Sequence, residues 1–243
     1  MYFNAEQETK SCIAWLKSWF GNESGNAGGI IIGVSGGADS TIVAKLCCEA
    51  VGRDRVLGVL MPNGEQKDIA DAVSVCELLG ISYKIINIKD ISSQFSAIYD
   101  FTELAEINIL PRIRLTVVYA IGQSLNYRVA GTGNLSERYV GYCTKWGIGE
   151  ACDFNPIANF TKTEVIQIGD YLGLPRNLVH KIPADGLTDL SDEEKLGITY
   201  KVLDKYIRTG LYDEENLEMI ERIIKLHGYA QHKIKPIPCY AGI

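Results

Sequence analysis

The most concentrated chemistry of the sequence lies in one short segment that follows an apolar, β-branched run at residues 29–34. Written out, the segment is Gly33-Val34-Ser35-Gly36-Gly37-Ala38-Asp39-Ser40. Small residues let the backbone close around phosphate oxygens, and a helix beginning directly after them adds free N–H groups and a favourable dipole. Because Asp39 in that turn would repel a phosphate, the segment also predicts a divalent cation, Mg²⁺, between the two.

The segment is not a Walker A loop, because Gly-x-x-x-x-Gly-Lys-Ser/Thr occurs nowhere in the chain. The plainer interpretation is a strand, turn and helix whose small residues serve packing, but a turn that needs only tight geometry has no use for Asp39. Residues 35–40 resemble in full the Ser-Gly-Gly-x-Asp-Ser pyrophosphate-binding loop of the N-type ATP pyrophosphatases. That resemblance implies cleavage of ATP between its α and β phosphates and adenylation of an oxygen on the substrate.

A second polar segment follows another short strand-like run and reads Gly131-Thr132-Gly133-Asn134-Leu135-Ser136-Glu137. Thr132 can donate to a phosphate or a ribose, and Glu137 offers a second carboxylate to a hard cation. Mg²⁺ is usually held by one or two carboxylates together with phosphate oxygens. Taken alone, the segment is equally well a simple turn; beside residues 35–40, the pair Asp39 and Glu137 predicts a metal site.

The elements that must position these segments are read from hydrophobic patterning. Alternating strand-like and helical runs predict an α/β fold, a parallel sheet with helices on both faces. The chain is expected to form one domain, 1–243, with a helix-rich C-terminal part from about residue 160. The predicted strands are 29–34, 56–61, 84–88 and 128–132, and the predicted helices are 4–20, 39–51, 67–80, 103–126, 161–172, 191–208 and 213–228. Ligands bind beyond the carboxyl ends of such strands, where both polar segments fall.

Composition excludes several classes of protein. The 243 residues are 47% hydrophobic, enough for a full core, and the net charge of −6 argues against a nucleic-acid-binding surface. No window has the apolar length of a membrane span, and the first residues lack the pattern of a signal peptide, so a cytoplasmic protein is expected. The seven cysteines form no Cys-x-x-Cys pair, and Cys47, Cys48 and Cys76 are expected to be small core residues.

Further motifs make the resemblance specific, because they occur in the order and approximate spacing of the ammonia-dependent NAD synthetases. The resemblance spans roughly residues 10–238, nearly the whole chain. Its motifs are Ser35–Ser40, Asn108-x-x-x-Arg112-x-Arg114, Gly131–Glu137, Thr144-Lys145, Asp153, Thr161-Lys162-Thr163, Asp192-Glu193-Glu194-x-Leu196-Gly197-x-x-Tyr200, His232-Lys233 and Pro236-x-Pro238.

The resemblance implies a reaction that converts nicotinic acid adenine dinucleotide (deamido-NAD) to NAD with ATP and ammonia, through an adenylated carboxylate. It places Gly33, Val34, Ser35, Gly36, Gly37, Ala38, Asp39, Ser40, Thr132 and Lys162 at ATP, with Asp39 and Lys162 as the catalytic pair. It gives Mg²⁺ the ligands Asp39 and Glu137. It places Arg112, Lys145, Asp153, His232 and Lys233 at the dinucleotide.

The sequence departs from the family pattern at three places that bear on this assignment. Fewer basic residues than usual follow His232-Lys233, where the chain reads Ile234-Lys235, and this weakens the expected substrate contacts near the C-terminus. Ala184 stands where a hydroxyl residue commonly touches ATP, so that contact is not carried over. The segment Gly147-Ile148-Gly149-Glu150 is one residue longer than its counterpart, so the Asp153 assignment depends on where the extra residue lies.

Family resemblance further implies a homodimer, whose surface could come from the apolar helix 103–126 with Leu104, Ile107, Leu115, Val118, Tyr119 and Leu125. The polar stretches 62–67 and 183–192 are predicted to be mobile lids that order on ligand binding. A separate glutaminase could supply the ammonia. Two alternative functions stay open: an N-type pyrophosphatase that amidates or thiolates another substrate, and an ATP or dinucleotide sensor without turnover.

Overall fold

The computed structural model describes residues 3–66, 69–182 and 191–240, and its centre is a parallel four-stranded sheet. The strand order is β3-β2-β1-β4, so the chain leaves β1 toward one edge and returns to its other side with β4. The strands are β1 Gly29–Gly33, β2 Val56–Leu60, β3 Ser82–Ile85 and β4 Tyr127–Val129. In such sheets the crevice at the point where strand order reverses is the usual ligand site, and here it lies beyond the ends of β1 and β4.

Helices cover both faces of this sheet and make up the C-terminal part. They are α1 Ala5–Asn22, α2 Ala38–Val51, α3 Ile69–Leu79, α4 Lys89–Ser96, α5 Glu103–Leu125, α6 Leu135–Val140, α7 Lys162–Tyr171, α8 Arg176–Val179, α9 Asp192–Leu196, α10 Tyr200–Thr209 and α11 Leu217–Ile234. Among the helices of the described ranges, none is both long and apolar enough to cross a bilayer.

Strand β1 shows why a run of isoleucines belongs at the centre of the fold. Successive side chains of a strand point to opposite faces of the sheet. Ile30 and Ile32 accordingly lie in the core on the side of α1, α2 and α7, whereas Ile31 lies in the core on the side of α5. All three side chains are buried, so both faces of the sheet are covered, as the alternating pattern predicted.

The C-terminal helices form a smaller core of their own. Its buried members come from α6, α9, α10 and α11 and the turns between them, and they are Val140, Leu196, Ile198, Tyr200, Leu203, Ile220 and Ile223. Because α6 also follows β4, this cluster joins the C-terminal part to the edge of the sheet where the polar segments lie.

Several predicted boundaries are confirmed, but the interval 191–208 is wrong as one helix. Gly197 adopts a left-handed φ of +63° and ends α9, and the Thr199 hydroxyl caps the start of α10. The predicted strand 84–88 is Ser82–Ile85, because its register is set by pairing with β2, Leu57 opposite Ser82.

Smaller differences concern lengths and faces. The predicted strand 128–132 ends at Val129, with only an isolated bridge from Ala130 to Phe154 beyond it. Helices α4, α6 and α8 were not predicted; they have 8, 6 and 4 residues, too few for a clear period. Trp15, an apolar residue of α1, is 45% exposed.

Candidate active site

The loop between β1 and α2 has the geometry of an anion site. Gly37 precedes the first turn of α2 and has no side chain that could cap its amides. The loop is held by its own hydroxyls: Ser40 Oγ accepts from the Ser35 amide at 3.3 Å and donates to the Gly37 carbonyl at 3.2 Å. The uncapped amides at the positive end of the helix can therefore bind phosphate oxygens.

Gly36 is the residue on which this loop depends. Its φ of +78° lies in the left-handed region, and a Cβ there would lie 2.8 Å from the Ala72 nitrogen and 2.9 Å from Asp71 Cβ. Helix α3 therefore packs directly against the loop backbone. Only glycine satisfies both the backbone conformation and this close approach.

Two carboxylates and one ammonium meet beyond the ends of β1 and β4. Lys162 Nζ donates to Asp39 Oδ2 at 2.7 Å and lies 3.9 Å from Glu137 Oε1. The Lys162 side chain is only 5% exposed, so the charges interact in a region largely free of water. The structure thus brings together Asp39, Glu137 and Lys162, three of the residues that the sequence predicted.

The charges in this cluster are unbalanced. Burial, and then the neighbouring Asp39 carboxylate, raise the pKa of Glu137 to about 8. Burial alone would lower the pKa of the Lys162 ammonium, but the Asp39 and Glu137 carboxylates outweigh it and raise that pKa. The lysine therefore stays charged, and the two carboxylates compete for too little positive charge.

The residues fit a hard divalent cation. Asp39 Oδ1 is buried and has no hydrogen-bond partner in the described part of the chain. An unpaired carboxylate oxygen beside a second carboxylate is the donor set that Mg²⁺ takes when phosphate oxygens complete its shell. Within the described ranges, no group of three His, Cys, Asp or Glu residues is arranged to hold a metal by itself.

Helices α6 and α7 present the cluster through their first turns. Asn134 caps α6, its Oδ1 accepting from the Glu137 amide at 3.0 Å, and its Nδ2 donates to Asp39 Oδ2 at 3.3 Å. One buried asparagine therefore fixes Glu137 and Asp39 relative to each other. Thr161 and Glu164 form a capping box that starts α7 directly before Lys162.

Asp204 of α10 was not singled out from the sequence, yet it ties these helices together. Its Oδ1 accepts from Ser136 Oγ of α6 at 2.5 Å, and its Oδ2 accepts from the Thr163 amide of α7 at 2.8 Å. Ser136 Oγ in turn accepts from the Lys162 amide at 2.9 Å. No local pattern indicates this role, because Asp204 and Ser136 are 68 positions apart.

Four of the residues predicted to bind the dinucleotide lie around one junction. Lys145 Nζ donates to the His232 carbonyl at 2.7 Å, and Arg112 Nε donates to the Lys145 carbonyl at 3.2 Å. Lys233 Nζ donates to the carbonyls of Gly141 and Cys143. The segment after α6 thus links α5 to the end of α11. It brings together positively charged side chains from three parts of the chain.

Asp153 lies apart from that junction, beside the isolated bridge that extends β4. Its Oδ2 accepts from the Val129 amide at 2.7 Å, and its Oδ1 accepts from the Tyr119 hydroxyl at 3.3 Å. Both oxygens therefore have partners within the chain. Thr132 lies close to Gly149, where a Cβ would come 3.3 Å from the threonine hydroxyl oxygen.

The longer segment before Asp153 is accommodated by turns and one partly buried ion pair. Gly149 has a φ of +95°, and Arg138 Nε of α6 lies 3.2 Å from Glu150 Oε2. Burial raises the pKa of Glu150. The ion pair thus joins the longer segment to α6, the helix that contains Glu137. Residue 184 lies outside the described ranges.

The two segments predicted to be mobile lids, 62–67 and 183–192, are described by the structure to different extents. Residues 183–190 and 67–68 are outside the described ranges. Residues 62–66 have their own hydrogen bonds: the Asn63 amide donates to Gln66 Oε1, and the Gly64 amide to Asn87 Oδ1, each at 3.0 Å. Their ordering on ligand binding stays a prediction.

Comparison with known proteins shows which family the chain is similar to. The NAD synthase family model matches residues 9–238. The chain is 45% identical to the NH₃-dependent NAD⁺ synthetase of Thermococcus sibiricus over 188 residues, 76% of this chain and 74% of that protein. It is 38% identical to the enzyme of the same name from Carboxydothermus hydrogenoformans, with 98% of each chain covered.

A solved structure is similar over the whole chain. The NMN synthetase of Francisella tularensis superposes with a TM-score of 0.89 at 31% identity, covering 99% of this chain and all of that one. The sheet and the helical C-terminal part therefore belong to a fold already seen in a solved NMN synthetase.

Proposed function

This chain belongs to the NAD synthase family, and from that premise we propose that the Asp39–Lys162–Glu137 cluster is the centre of an ATP-dependent amidation. The reaction converts deamido-NAD to NAD with ammonia as the nitrogen source. The observation that carries the assignment is the buried cluster itself, directly beside an uncapped helix N-terminus that can bind phosphates.

The chemistry explains why ATP is needed. A carboxylate is a poor acyl donor, because its leaving group would be oxide. Its oxygen attacks the α-phosphorus of ATP, a P–O bond to the β-phosphate breaks, and pyrophosphate leaves. Ammonia then attacks the mixed anhydride, the C–O bond to AMP breaks, and the amide forms with loss of a proton. Positioning and charge neutralisation supply most of the catalysis in such a displacement.

The chain's own residues divide this work. Residues 33–40 hold the phosphates through backbone amides, and Lys162 neutralises charge on the oxygens near the α-phosphorus. Thr132 contributes a hydroxyl to the nucleotide. Asp39 and Glu137 would hold Mg²⁺, which withdraws charge from the phosphoryl oxygens when it is bound.

The substrate side uses the cationic junction. Arg112, Lys145 and Lys233 would face the pyrophosphate of the dinucleotide, whose negative charge attracts these three cations, and His232 would contact the dinucleotide beside them. Asp153 would take a ribose hydroxyl or the amine. Its two hydrogen bonds within the chain hold the carboxylate in a fixed orientation for that contact.

The proposal extends to the state of the protein. The chain works as one domain and as a homodimer, with the exposed residues of α5 in the interface; Leu104 is 70% exposed. Val118, which the sequence placed on that surface, is fully buried in the core against the sheet and is not part of it. The cytoplasm is the proposed location, supported by seven cysteines that all carry free thiols.

A second substrate is favoured by one observation. The similarity to the Francisella tularensis NMN synthetase covers the full length of both chains. The same two steps on a carboxylate of nicotinic acid mononucleotide would give NMN. We therefore include the mononucleotide as a second candidate substrate of the same site.

The test is a stoichiometric assay. The purified protein is incubated with ATP, Mg²⁺, an ammonium salt and either deamido-NAD or the mononucleotide, and the amide product and pyrophosphate are measured. Equal amounts of both products are expected with deamido-NAD, and Asp39→Ala and the isosteric Asp39→Asn should lose both. Asp54→Asn, an exposed aspartate, is the matched control. Pyrophosphate release without amide would contradict the proposal.

A further inference from the structure

The segment from Asp192 to Tyr200 has no role in the proposed reaction, although the structure brings both of its ends to the Asp39–Lys162–Glu137 cluster. Tyr200 is the first residue of α10, and Lys162 Nζ lies 5.7 Å from the centre of its ring. Asp192 is the first residue of α9 and accepts from the Tyr142 hydroxyl at 3.1 Å. Its carboxylate acts electrostatically on both Lys162 and Glu137.

The Tyr200 hydroxyl is an unused donor in this cluster. The residue is 6% exposed, and its hydroxyl oxygen is buried without a hydrogen-bond partner among the described residues. Burial, and then the carboxylates of Glu137 and Asp192, raise the pKa of the phenol far above its ordinary value. The group therefore keeps its proton. A buried hydroxyl without a partner costs about 1–3 kcal/mol, so its retention calls for an explanation.

Asp39 Oδ1 is the complementary case in the same cluster. It is an acceptor, it is buried, and within the part of the chain described it also has no partner. With Glu137 ionised, as a metal ligand must be, the cluster therefore lacks one cation or donor for Asp39 Oδ1 and one oxygen acceptor for the Tyr200 hydroxyl. A magnesium ion with its shell of phosphate and water oxygens supplies both.

We propose that the Tyr200 hydroxyl donates a hydrogen bond to an oxygen of the magnesium–ATP complex, either a phosphate oxygen or a water held by the cation. The inference rests on the proposed function, because it takes Asp39 and Glu137 as the metal ligands. The contact of the Lys162 ammonium with the ring face keeps the phenol oriented beside the charges that the complex must approach.

Tyr200→Phe tests this, because it removes the hydroxyl and keeps the ring, the packing and the contact with Lys162. Binding of a non-hydrolysable α,β-methylene analogue of ATP with Mg²⁺ is measured by calorimetry, and the melting temperature is measured with and without that analogue. Affinity should fall roughly tenfold, the effect of one lost hydrogen bond. The melting temperature of the free protein should stay the same or rise, since an unpaired buried hydroxyl has been removed.

Tyr206→Phe, a half-buried tyrosine of the same helix, is the matched control and should leave affinity unchanged. Unchanged affinity in Tyr200→Phe would overturn the proposal, whatever happens to the melting temperature. A lower melting temperature together with unchanged affinity would identify the partner as a structural water instead.

Two further binding measurements distinguish the two possible acceptors of the Tyr200 hydrogen bond, a phosphate oxygen and a water on the cation. Weaker binding of the analogue both with Mg²⁺ and with a chelator indicates a phosphate oxygen, and weaker binding only with Mg²⁺ indicates a water on the cation. If the wild-type protein does not bind the analogue with Mg²⁺, the proposed function fails. If the wild type binds and Tyr200→Phe binds equally well, only the role of Tyr200 fails.

Discussion

The surroundings of Glu137 raise the pKa of its carboxyl group when no metal is bound. Its pKa is about 8 in the folded protein, against an ordinary value of 4.5. Between these two pH values the folded protein holds a proton that the unfolded chain has lost. Stability therefore falls as pH rises through that window, the opposite of the usual carboxylate that is stabilised in its ionised form.

We expect the metal-free protein to lose thermal stability between about pH 4.5 and about pH 8, and Glu137→Gln to flatten that slope. Scanning calorimetry at several pH values measures both. Glu49→Gln, a carboxylate half exposed in an ion pair with Lys45, should keep the wild-type slope. A slope that is the same in Glu137→Gln and wild type would contradict the prediction.

The same proton affects metal binding. Mg²⁺ needs the ionised carboxylate, so its affinity should rise with pH toward 8, with release of a proton on binding. Calorimetry in buffers of different ionisation enthalpy measures that proton. Binding without proton release at pH 7 would show that Glu137 is already ionised before the metal arrives.

Gly36 gives a prediction about the backbone of a single residue. Gly36→Ala should lower the free energy of unfolding by about 1–3 kcal/mol, because alanine strains a φ of +78° and its Cβ meets the backbone of α3. Gly37→Ala is the matched control, since Gly37 has an ordinary φ of −85° and its Cβ would contact only Ser35 Oγ at 3.3 Å. Denaturant unfolding without nucleotide compares them, and equal losses would contradict the argument.

At the scale of elements, the site depends on how α10 holds α6 and α7. Asp204→Ala leaves the Ser136 hydroxyl and the Thr163 amide without their buried acceptor, which should cost about 1–3 kcal/mol of stability. It should also raise the KM for ATP, because the Lys162 amide is bonded to Ser136.

The matched comparison is Asp213→Ala. Asp213 is exposed and forms an ion pair with Lys205, which lies on α10 like Asp204. Such surface pairs contribute less than about 1 kcal/mol, and the KM for ATP should not change. Unfolding curves measure the free energy of unfolding of the two variants, and steady-state kinetics measure their KM for ATP. A KM for ATP that is unchanged in Asp204→Ala would show that α7 keeps its position without this carboxylate.

Elements also differ in how far the sequence could predict them. The unit β1–loop–α2 was predicted within one residue, because strand, small residues and helix start are all local signals. The helix 191–208 was predicted as continuous, although Gly197 and Thr199 carry the signals of an end and a start. Asp204 and Tyr200 could not be assigned, because their roles exist only through contacts with residues far away in the chain.

At the scale of the whole molecule, the proposed dimer makes a direct prediction. Light scattering should give twice the chain mass of 26.8 kDa, and Leu104→Glu should shift the protein toward the mass of one chain. Leu104 is 70% exposed, and an apolar side chain in that position is stabilised by covering it. Leu211→Glu, with 66% exposure elsewhere on the surface, is the control and should not change the mass. A monomeric wild type would refute the dimer.

The ion pair between Asp39 and Lys162 closes across 123 positions of the chain, and this separation matters while the protein is being made. At translation rates of about 5–20 residues per second, the phosphate loop emerges roughly 6–25 s before its lysine. During that interval the nascent chain can form the local β1–loop–α2 unit but not the charge arrangement that we propose for the cleavage of ATP. An unfinished or truncated chain that lacks Lys162 is therefore expected not to cleave ATP, and competence for the proposed adenylation arises only after most of the polypeptide has been synthesised.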